Sequence, residues 1–194
     1  MLLTRRAIGR GMRSRKAPMP RLWLMTDERG GDIVAIARGM PKGSGIVFRH
    51  HATPTAERRA LFGQVRRVAR ARGLVLLLAA APVQARAWGA DGAHHRSLRV
   101  SPKGWGVLRS VAVHNRRELV IAQRISADLV FVSPVFPTRS HVGVKTLGVV
   151  RFGLLAAKCH RPVIALGGLN VSSFKKLRGM KIHGWAAIDA FKLD

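Results

Sequence analysis

Eight short apolar runs, separated by helix-like stretches, most constrain what this sequence can fold into. Most of the runs are nearly continuous in apolar residues, which is typical of parallel strands buried on both faces. They begin at Arg21, Gly45, Leu74, Asp91, Leu108, Leu129, Pro162 and Gly184. Strands that alternate with helices predict an α/β fold, and eight such strands predict a closed (β/α)8 TIM barrel. No glycine-rich loop follows the first run, so a Rossmann fold is excluded.

The stretches between the runs carry recognisable helix ends. The clearest helix begins at Thr55, which we predict to be its N-cap, and has Glu57 in its first turn. Gly73 is predicted to end that helix, because glycine readily takes the left-handed conformation that closes a helix. Asn115 and Asn170 are predicted to cap two further helices.

Two parts of the predicted barrel have weak support in the sequence. The link 96–107 contains one proline and two glycines, which disfavours a helix there. The sequence stops at Asp194, directly after the eighth run, so the last helix is expected to be truncated or missing. An open barrel end would expose apolar surface, and a partner subunit could cover it. A homo-oligomer is therefore one expectation.

Length and composition suit one domain. The chain has 194 residues, of which 47% are hydrophobic, enough for a full core. We expect the barrel to span 21–194 and residues 1–20 to be a disordered basic extension, either a nucleic-acid-binding arm or sequence that precedes a true start at Met12 or Met19. No apolar run reaches the roughly 18 residues of a membrane-spanning helix. The single cysteine, Cys159, fits a cytoplasmic location and is expected to be packed and inert.

The charge is strongly positive. Thirty-five Lys and Arg residues against 9 Asp and Glu give a net charge of +26. Such a field attracts phosphorylated ligands and nucleic acid, the latter without sequence preference. The alternative, which we favour, is that most of these side chains are solvated surface residues, because they are spread along the chain.

Two loops near the end of the predicted barrel have the composition of an anion site. The segment 127–141, ADLVFVSPVFPTRSH, and the segment 162–169, PVIALGGL, each run from a buried strand into Gly, Pro, Ser or Thr, with a helix-like stretch at 148–159 between them. Such loops can present N–H groups and hydroxyls to an anion. A barrel of this kind builds phosphate sites near its last strands.

Histidines concentrate where the predicted strands end. Six of the eight fall at carboxyl ends of strands or in the loops that follow, which is the catalytic face of such barrels. They are His50, His51, His94, His95, His114 and His141. Three roles stay open: polar lining without chemistry, acid/base or phosphate contacts, and a Zn²⁺ site, which lacks a helical His pair or a Cys partner. His160 and His183 fall at strand starts and are expected to be structural. Asp27 is expected to hold either a loop or a ligand hydroxyl, with capping the favoured role.

Ordered matches along the chain resemble the thiamine phosphate synthase / TenI superfamily. The matching segments are WLMTD, GADGAHH, SVAVH, ADLVFVSPVFPTRSH and ALGGL, within roughly residues 21–190. The resemblance implies a (β/α)8 barrel that handles a thiazole phosphate in thiamine synthesis. The family's synthase expels diphosphate with the help of Mg²⁺, whereas its TenI branch is a thiazole tautomerase.

The resemblance also implies site residues. Those expected to contact substrate or phosphate are Arg49, His51 in place of a Lys, Arg99, Thr138, Ser140, Gly167 and Gly168. His114 matches the TenI histidine, and His141 replaces a Lys; both are candidate catalytic residues. The family's metal carboxylates fall on Ala79, Ala80 and near Arg99, so no metal ligand and no cofactor are expected, with Mg²⁺ required only by a synthase. Asp189 stands where the family has a small hydroxyl residue near the phosphate.

The expected function is therefore an enzyme acting on a thiazole phosphate or a related small phosphorylated heterocycle. A tautomerase-like role with His114 as acid/base, or a divergent synthase, is favoured over a Mg²⁺-dependent thiamine phosphate synthase. In a metal-free site, Arg49, Arg99, His51 and His141 would form the anion cradle. From another class, a non-enzymatic binder of phosphorylated ligands or nucleic acid is the alternative.

Overall fold

Eight parallel strands close into a barrel in the computed structural model, which describes residues 18–95, 106–138, 143 and 145–188. The strands are β1 (Leu22–Met25), β2 (Gly45–Phe48), β3 (Val75–Leu78), β4 (Gly92–His95), β5 (Leu108–Val113), β6 (Leu129–Val132), β7 (Val163–Leu166) and β8 (Gly184–Ala187). Each strand pairs with its sequence neighbours, and β8 pairs with β1 through Trp185 opposite Leu22. The predicted (β/α)8 barrel is confirmed, and each strand lies within one of the eight apolar runs.

Helices lie between the strands. They are α1 (Ile33–Gly39), α2 (Thr55–Arg72), α3 (Pro82–Trp88), α4 (Arg116–Arg124), α5 (Gly148–Ala157) and α6 (Val171–Lys175), with a 3₁₀ turn at Glu28–Gly30. None of the helices in the described part of the chain is long and apolar enough to cross a bilayer. The predictions for the link 96–107, apart from its last two residues, and for the last helix fall outside the described residues, as does most of the N-terminal extension.

Most of the predicted helix ends are confirmed. The Asn115 side chain accepts a hydrogen bond from the N–H of Glu118, Asn170 accepts one from the N–H of Ser173, and Gly73 ends α2 with a φ of 66°. The prediction that Thr55 caps α2 is wrong, since Thr55 is the first residue of the helix. The cap position is Pro54, whose side chain makes no capping hydrogen bond. The proline ring has no hydrogen-bonding group, so α2 begins without a side-chain cap.

Side chains fill the barrel interior from the amino ends of the strands, which we call the lower end, up to the level of His94. The ring of Trp23 lies edge-on to Phe131 with 5.5 Å between centroids, and Phe131 lies edge-on to His94 at 5.0 Å. Gly45 is required beside Trp23, because a Cβ on Gly45 would overlap the indole. The interior above His94, towards the carboxyl ends of the strands, is open.

Outside the barrel interior, two apolar clusters pack the helices against the strands. One joins β1–β4 to α1–α3, and the other joins β5–β8 to α4–α6. Cys159 belongs to the second cluster and is 1% exposed. Burial raises the pKa of its thiol, which agrees with the expected inert role.

The lower end of the barrel is tied to the residues that precede β1. His183 donates from Nε2 to the carbonyl of Met19 at 2.9 Å, and Trp23 donates from Nε1 to the carbonyl of Pro20 at 2.9 Å. These contacts agree with a structural role for His183. The boundary between the extension and the barrel at residue 20 stays a prediction.

Candidate active site

A cavity of about 590 Å³ opens at the carboxyl ends of the strands. Its size falls within the usual range for small-molecule sites. The lining consists of Met25, Asp27, Glu28, Arg29, Arg49, His51, Ala79, Ala80, Ala81, His94, His95, Ala112, His114, Ser133 and Leu166. Apolar side chains from four strands or strand ends therefore share this space with histidines, arginines and two acids. The site prediction placed the catalytic face at this end of the barrel.

His114, at the end of β5, has a defined tautomer. Its Nδ1 lies 2.8 Å from the carbonyl oxygen of Ser133 and 3.3 Å from the Ser133 hydroxyl. A carbonyl only accepts, so in the neutral ring the proton sits on Nδ1 and Nε2 carries a lone pair. Nε2 has no hydrogen-bond partner within the described part of the chain. The ring is therefore set up to accept a proton at the cavity wall.

The start of α4 fixes the backbone of His114. Glu118 accepts a hydrogen bond from the N–H of His114 at 2.7 Å and another from the Asn115 side chain at 3.0 Å. Asn115 in turn caps α4. This reciprocal arrangement resembles a capping box and holds the strand end and the helix start together.

His94 lies deeper, at the floor of the cavity. It is 8% exposed, and its Nδ1 lies 2.9 Å from the hydroxyl of Ser110 on the neighbouring strand. Ser110 also donates to the carbonyl of Ala93 at 3.3 Å. The strand register pairs His94 with Ser110, so the barrel itself brings the two side chains together.

The rim after β1 and β2 is a compact network of opposite charges. Arg49 donates from Nε to the carbonyl of Thr26 at 2.7 Å and from its guanidinium to Asp27 at 3.2 Å. Arg29 contacts the same carboxylate at 2.7 Å. Asp27 also caps the 3₁₀ turn, as expected, by accepting from the N–H of Arg29. Two arginines share the Asp27 carboxylate, and Glu28 places a second carboxylate on the same rim.

Glu28, the second acid of the rim, stays ionised. Burial opposes this, but hydrogen bonds from its own N–H and from the N–H groups of Ala52 and Thr53, together with His50, lower the pKa of Glu28. Its carboxylate accepts from the N–H of Ala52 at 2.7 Å. Glu28 therefore orders the loop after β2.

His50 packs beneath the rim and does not line the cavity. It is 5% exposed, its ring stacks on Phe48 with 4.6 Å between centroids, and its Nδ1 lies 2.9 Å from the Thr26 hydroxyl. Burial lowers the pKa of His50, against the opposing effect of Glu28 and Asp27. Its φ of 46° lies in the left-handed region. His50 is thus a neutral packing residue held in an uncommon conformation.

Arg58, on the inner face of α2, links two loops of the cavity. Its Nε donates to the carbonyl of Arg49 at 2.7 Å and its guanidinium donates to the carbonyl of Ala79 at 3.0 Å. The guanidinium also lies 5.9 Å from the Phe48 ring centre and 5.4 Å from that of Trp88. Arg58 therefore fixes the backbone on which both Arg49 and Ala79 are presented.

The structure brings three of the predicted site residues to one cavity: Arg49, His51 and His114. Thr138, Gly167 and Gly168 are described but are not among the residues that line it. Arg99, Ser140 and His141, together with Asp189, lie outside the described residues. Their roles stay predictions.

The two glycines after β7 lie against the loop that follows β6. A Cβ on Gly167 would come within 2.7 Å of the Pro134 Cα, and one on Gly168 would overlap the Pro137 carbonyl. Phe136 donates from its N–H to the carbonyl of Gly167 at 3.1 Å. Close approach of the two loops, together with φ values of 97° and 63°, is thus a structural reason for glycine here.

The donor set at the family's metal positions does not fit Mg²⁺. Ala79 and Ala80 line the cavity but have only methyl side chains, whereas Mg²⁺ requires oxygen ligands. Asp27 is paired with two arginines and Glu28 with a backbone N–H. Across the described residues no three His, Cys, Asp or Glu side chains are grouped as metal ligands would be.

Four polar residues of this site escaped the sequence prediction: Arg29, Arg58, Ser110 and Ser133. The sequence did contain a signal for Ser110, because its hydroxyl is isolated among the apolar residues of a strand. Arg58 had one too, because it shares the inner face of α2 with buried Phe62, Val65 and Ala69. Ser133 acts through its backbone carbonyl, which no side-chain pattern can reveal.

Comparison with known proteins gives consistent matches. The family model "Thiamine monophosphate synthase" matches residues 26–191. The "Thiamine-phosphate synthase" of Latilactobacillus sakei subsp. sakei is 28% identical over 90 residues, which are 45% of this chain and only 40% of that protein. The "Putative thiamine-phosphate synthase 2" of Aquifex aeolicus is 26% identical over 185 residues, 89% of this chain and 98% of that protein.

A solved structure has the same fold. The thiamine phosphate pyrophosphorylase from Pyrococcus furiosus superposes with a TM-score of 0.76 at 22% identity, and the match covers 87% of this chain and 85% of that one.

Proposed function

This chain belongs to the thiamine monophosphate synthase family, and from that membership we propose that its cavity binds a thiazole phosphate and that His114 moves a proton on it. The proposal rests mainly on one observation, the 2.8 Å contact between His114 Nδ1 and the Ser133 carbonyl. That contact assigns the proton of the neutral ring to Nδ1, which makes Nε2 the nitrogen that can accept a proton at the cavity wall. A positioned imidazole of this kind is the usual general base near neutral pH.

The proposed reaction is an isomerisation. Nε2 of His114 accepts a proton from a C–H of a non-aromatic thiazole tautomer, and the resulting imidazolium returns a proton at a different atom of the same molecule. The ring becomes aromatic, no electrons are gained or lost, and no metal is needed. Met25, Ala112 and Leu166 offer apolar contact to a heterocycle, while Arg29, Arg49 and His51 line the same cavity and are the proposed phosphate contacts.

Substituting His114 tests the role of this residue. We expect His114→Ala and His114→Gln to slow tautomerisation of a thiazole phosphate by about 10²–10⁴-fold while ligand-induced thermal stabilisation persists. His160→Ala is the control, since His160 is exposed at the lower end of the barrel. Unchanged turnover in the His114 variants would contradict the proposal.

A divergent synthase is the second candidate. The relatives, which are named as thiamine-phosphate synthases, favour it, and so does the pair of arginines at the rim, which could stabilise a departing diphosphate. Thermal-shift titration with thiazole phosphate and thiamine phosphate, with and without Mg²⁺, separates the two. Stabilisation that requires Mg²⁺ would overturn the metal-free proposal and favour the synthase.

The remaining parts of the proposal concern setting and partners. We place the protein in the cytoplasm, with a small phosphorylated heterocycle as ligand and a homo-oligomer as the assembly, which light scattering tests. No response to either thiazole or thiamine phosphate, together with salt-sensitive DNA binding, would instead favour the non-enzymatic binder of phosphorylated ligands or nucleic acid.

A further inference from the structure

A second depression, of about 490 Å³, lies outside the barrel between the start of α4 and α5. We call it the α4–α5 groove. Its lining consists of His114, Asn115, Arg116, Lys145, Thr146, Leu147, Arg151, Leu154, Leu155 and Lys158. Only His114 is shared with the barrel cavity, so the groove is a separate surface that borders the mouth of the site.

The outer face of α5 is unusually apolar. The inner face buries Phe152 and Ala156, as a barrel helix should, but Val150 is 75% exposed and Leu154 is 61% exposed on the other side. These two residues are four positions apart and therefore adjacent on the helix surface. A contiguous exposed apolar patch, unlike a lone exposed leucine, marks an interaction surface.

The groove is positively charged without internal compensation. Arg116, Lys145, Arg151 and Lys158 line it, and none of the four forms an ion pair with a described residue. The sequence has no Asp or Glu between Asp128 and Asp189. The nearby Glu118 is already bonded to the N–H of His114 and to Asn115. No carboxylate in the described part of the chain therefore compensates this surface, which suits a negatively charged partner.

Spacing along α5 favours an extended occupant. Arg151 and Lys158 are seven residues apart, about 10 Å along the helix axis, with Leu154 and Leu155 between them. This separation, with two leucines between the cations, suits an occupant longer than a single small anion. A peptide segment with acidic residues on either side of an aliphatic anchor is such an occupant.

Two other occupants fit less well. No Phe, Tyr or Trp is among the residues that line the groove, whereas single-stranded nucleic acids gain much of their affinity by stacking on aromatic rings. A second copy of this chain carries a net charge of +26, so it would be repelled from a basic face.

From these observations we propose that the α4–α5 groove docks an acidic, aliphatic segment of another protein beside the mouth of the barrel. Leu147, Leu154 and Leu155 receive the apolar side chain, and Arg151 and Lys158 pair with the flanking carboxylates. The proposal does not depend on the reaction assigned to His114.

Fluorescence anisotropy on the full chain tests the proposal. The probe is a labelled synthetic helical peptide with Glu residues seven positions apart and two Leu midway between them. We expect saturable binding that weakens about tenfold or more in Leu154→Ser and in Arg151→Glu, since each removes one half of the recognition. A probe with Ser in place of its Leu residues should bind as weakly as the variants do.

Matched controls come from α6 and the residues just after it. Val171 is 67% exposed and Arg178 is exposed, and both lie outside the groove. Val171→Ser and Arg178→Glu repeat the same chemical changes there and should leave binding unchanged. Three outcomes would each overturn the proposal. The controls could lose binding, the probe could fail to bind up to roughly millimolar concentration, or the Ser-substituted probe could bind equally well. Displacement of the probe by a single-stranded oligonucleotide, with no effect of Leu154→Ser, would assign the groove to nucleic acid instead.

Discussion

At the residue scale, Arg58 shows how a charged side chain can belong to the core. It lies beneath the cavity rim, bonded to the carbonyls of Arg49 and Ala79 and placed over Phe48 and Trp88. Burial lowers the pKa of its guanidinium, against the effect of Glu28, but the group remains charged. The two carbonyls and the two ring faces replace the water that Arg58 gives up.

Arg58→Met should therefore destabilise the fold. Methionine keeps much of the stem's packing but leaves two carbonyls without their donor, and we expect the free energy of unfolding to fall by about 1–3 kcal/mol. Urea denaturation measures the change. Arg67→Met, on the exposed face of the same helix, should stay within about 0.5 kcal/mol of the wild type. Equal effects of the two substitutions would contradict the structural role of Arg58.

His50 should make stability depend on pH. Because its pKa is lowered in the folded protein from an ordinary value of 6.5, the unfolded chain takes up a proton that the folded protein resists. Stability is therefore complete above about pH 6.5 and falls as the pH drops below it.

His50→Asn should remove this contribution. Asparagine tolerates the left-handed conformation at this position and does not titrate. Between about pH 7.5 and pH 5.5, the Tm of the variant should fall less than that of the wild type. Thermal unfolding followed by circular dichroism provides the measurement, and parallel decreases in both proteins would show that His50 is not responsible.

At the scale of elements, the loops after β6 and β7 act as one unit. The N–H of Val135 donates to the carbonyl of Leu166, and that of Phe136 donates to the carbonyl of Gly167. The same β6 loop supplies the Ser133 carbonyl that orients His114. Packing at the glycine pair is thus connected to the candidate base through the loop after β6.

Gly168→Ala should disturb this unit. The methyl group would be strained at a φ of 63° and would also overlap the Pro137 carbonyl. Gly179→Ala is a matched control, because Gly179 has a φ of 79° with open space around it. We expect a loss of about 1–2 kcal/mol for the control and about 1–3 kcal/mol more for Gly168→Ala. Urea unfolding compares them, and equal losses would show that the loop accommodates the methyl group freely.

At the scale of the whole molecule, the net charge of +26 governs long-range behaviour. We expect weak binding to duplex DNA of random sequence, because the field attracts any dense row of phosphates. The affinity should fall at least a hundredfold between about 50 and 200 mM salt and should not change with base sequence. Filter binding over a salt series measures this dependence. Salt-insensitive or sequence-selective binding would point to a dedicated nucleic-acid site.

The barrel was predictable because its cause is local in the sequence. Parallel strands buried on both faces require apolar runs such as those at Leu74 and Leu129, and helix ends such as Gly73 and Asn115 depend on the conformational preferences of single residues. The prediction at Thr55 also depended on single-residue preferences, and it failed because the neighbouring Pro54 takes the cap position. Such errors shift one boundary and leave the topology unchanged.

The candidate site was predictable only in part. Placing Arg49, His51 and His114 at the carboxyl ends of strands was enough to bring them to one mouth, because parallel strands all end on the same side of a barrel. Which nitrogen of His114 holds the proton depends on a carbonyl nineteen residues away. Only the structure shows that Arg49 shares Asp27 with Arg29 and that Arg58 bonds to the loops after β2 and β3.

By itself, the sequence determined the barrel, its strand order and the end at which its histidines and arginines gather, because these follow from apolar periodicity and the directionality of parallel strands. Only the tertiary structure decided the tautomer of His114, the partners of Arg49 and the basic, apolar α4–α5 groove. Those features depend on contacts between residues far apart in the chain, whose distances are set by packing and leave no periodic trace in the sequence.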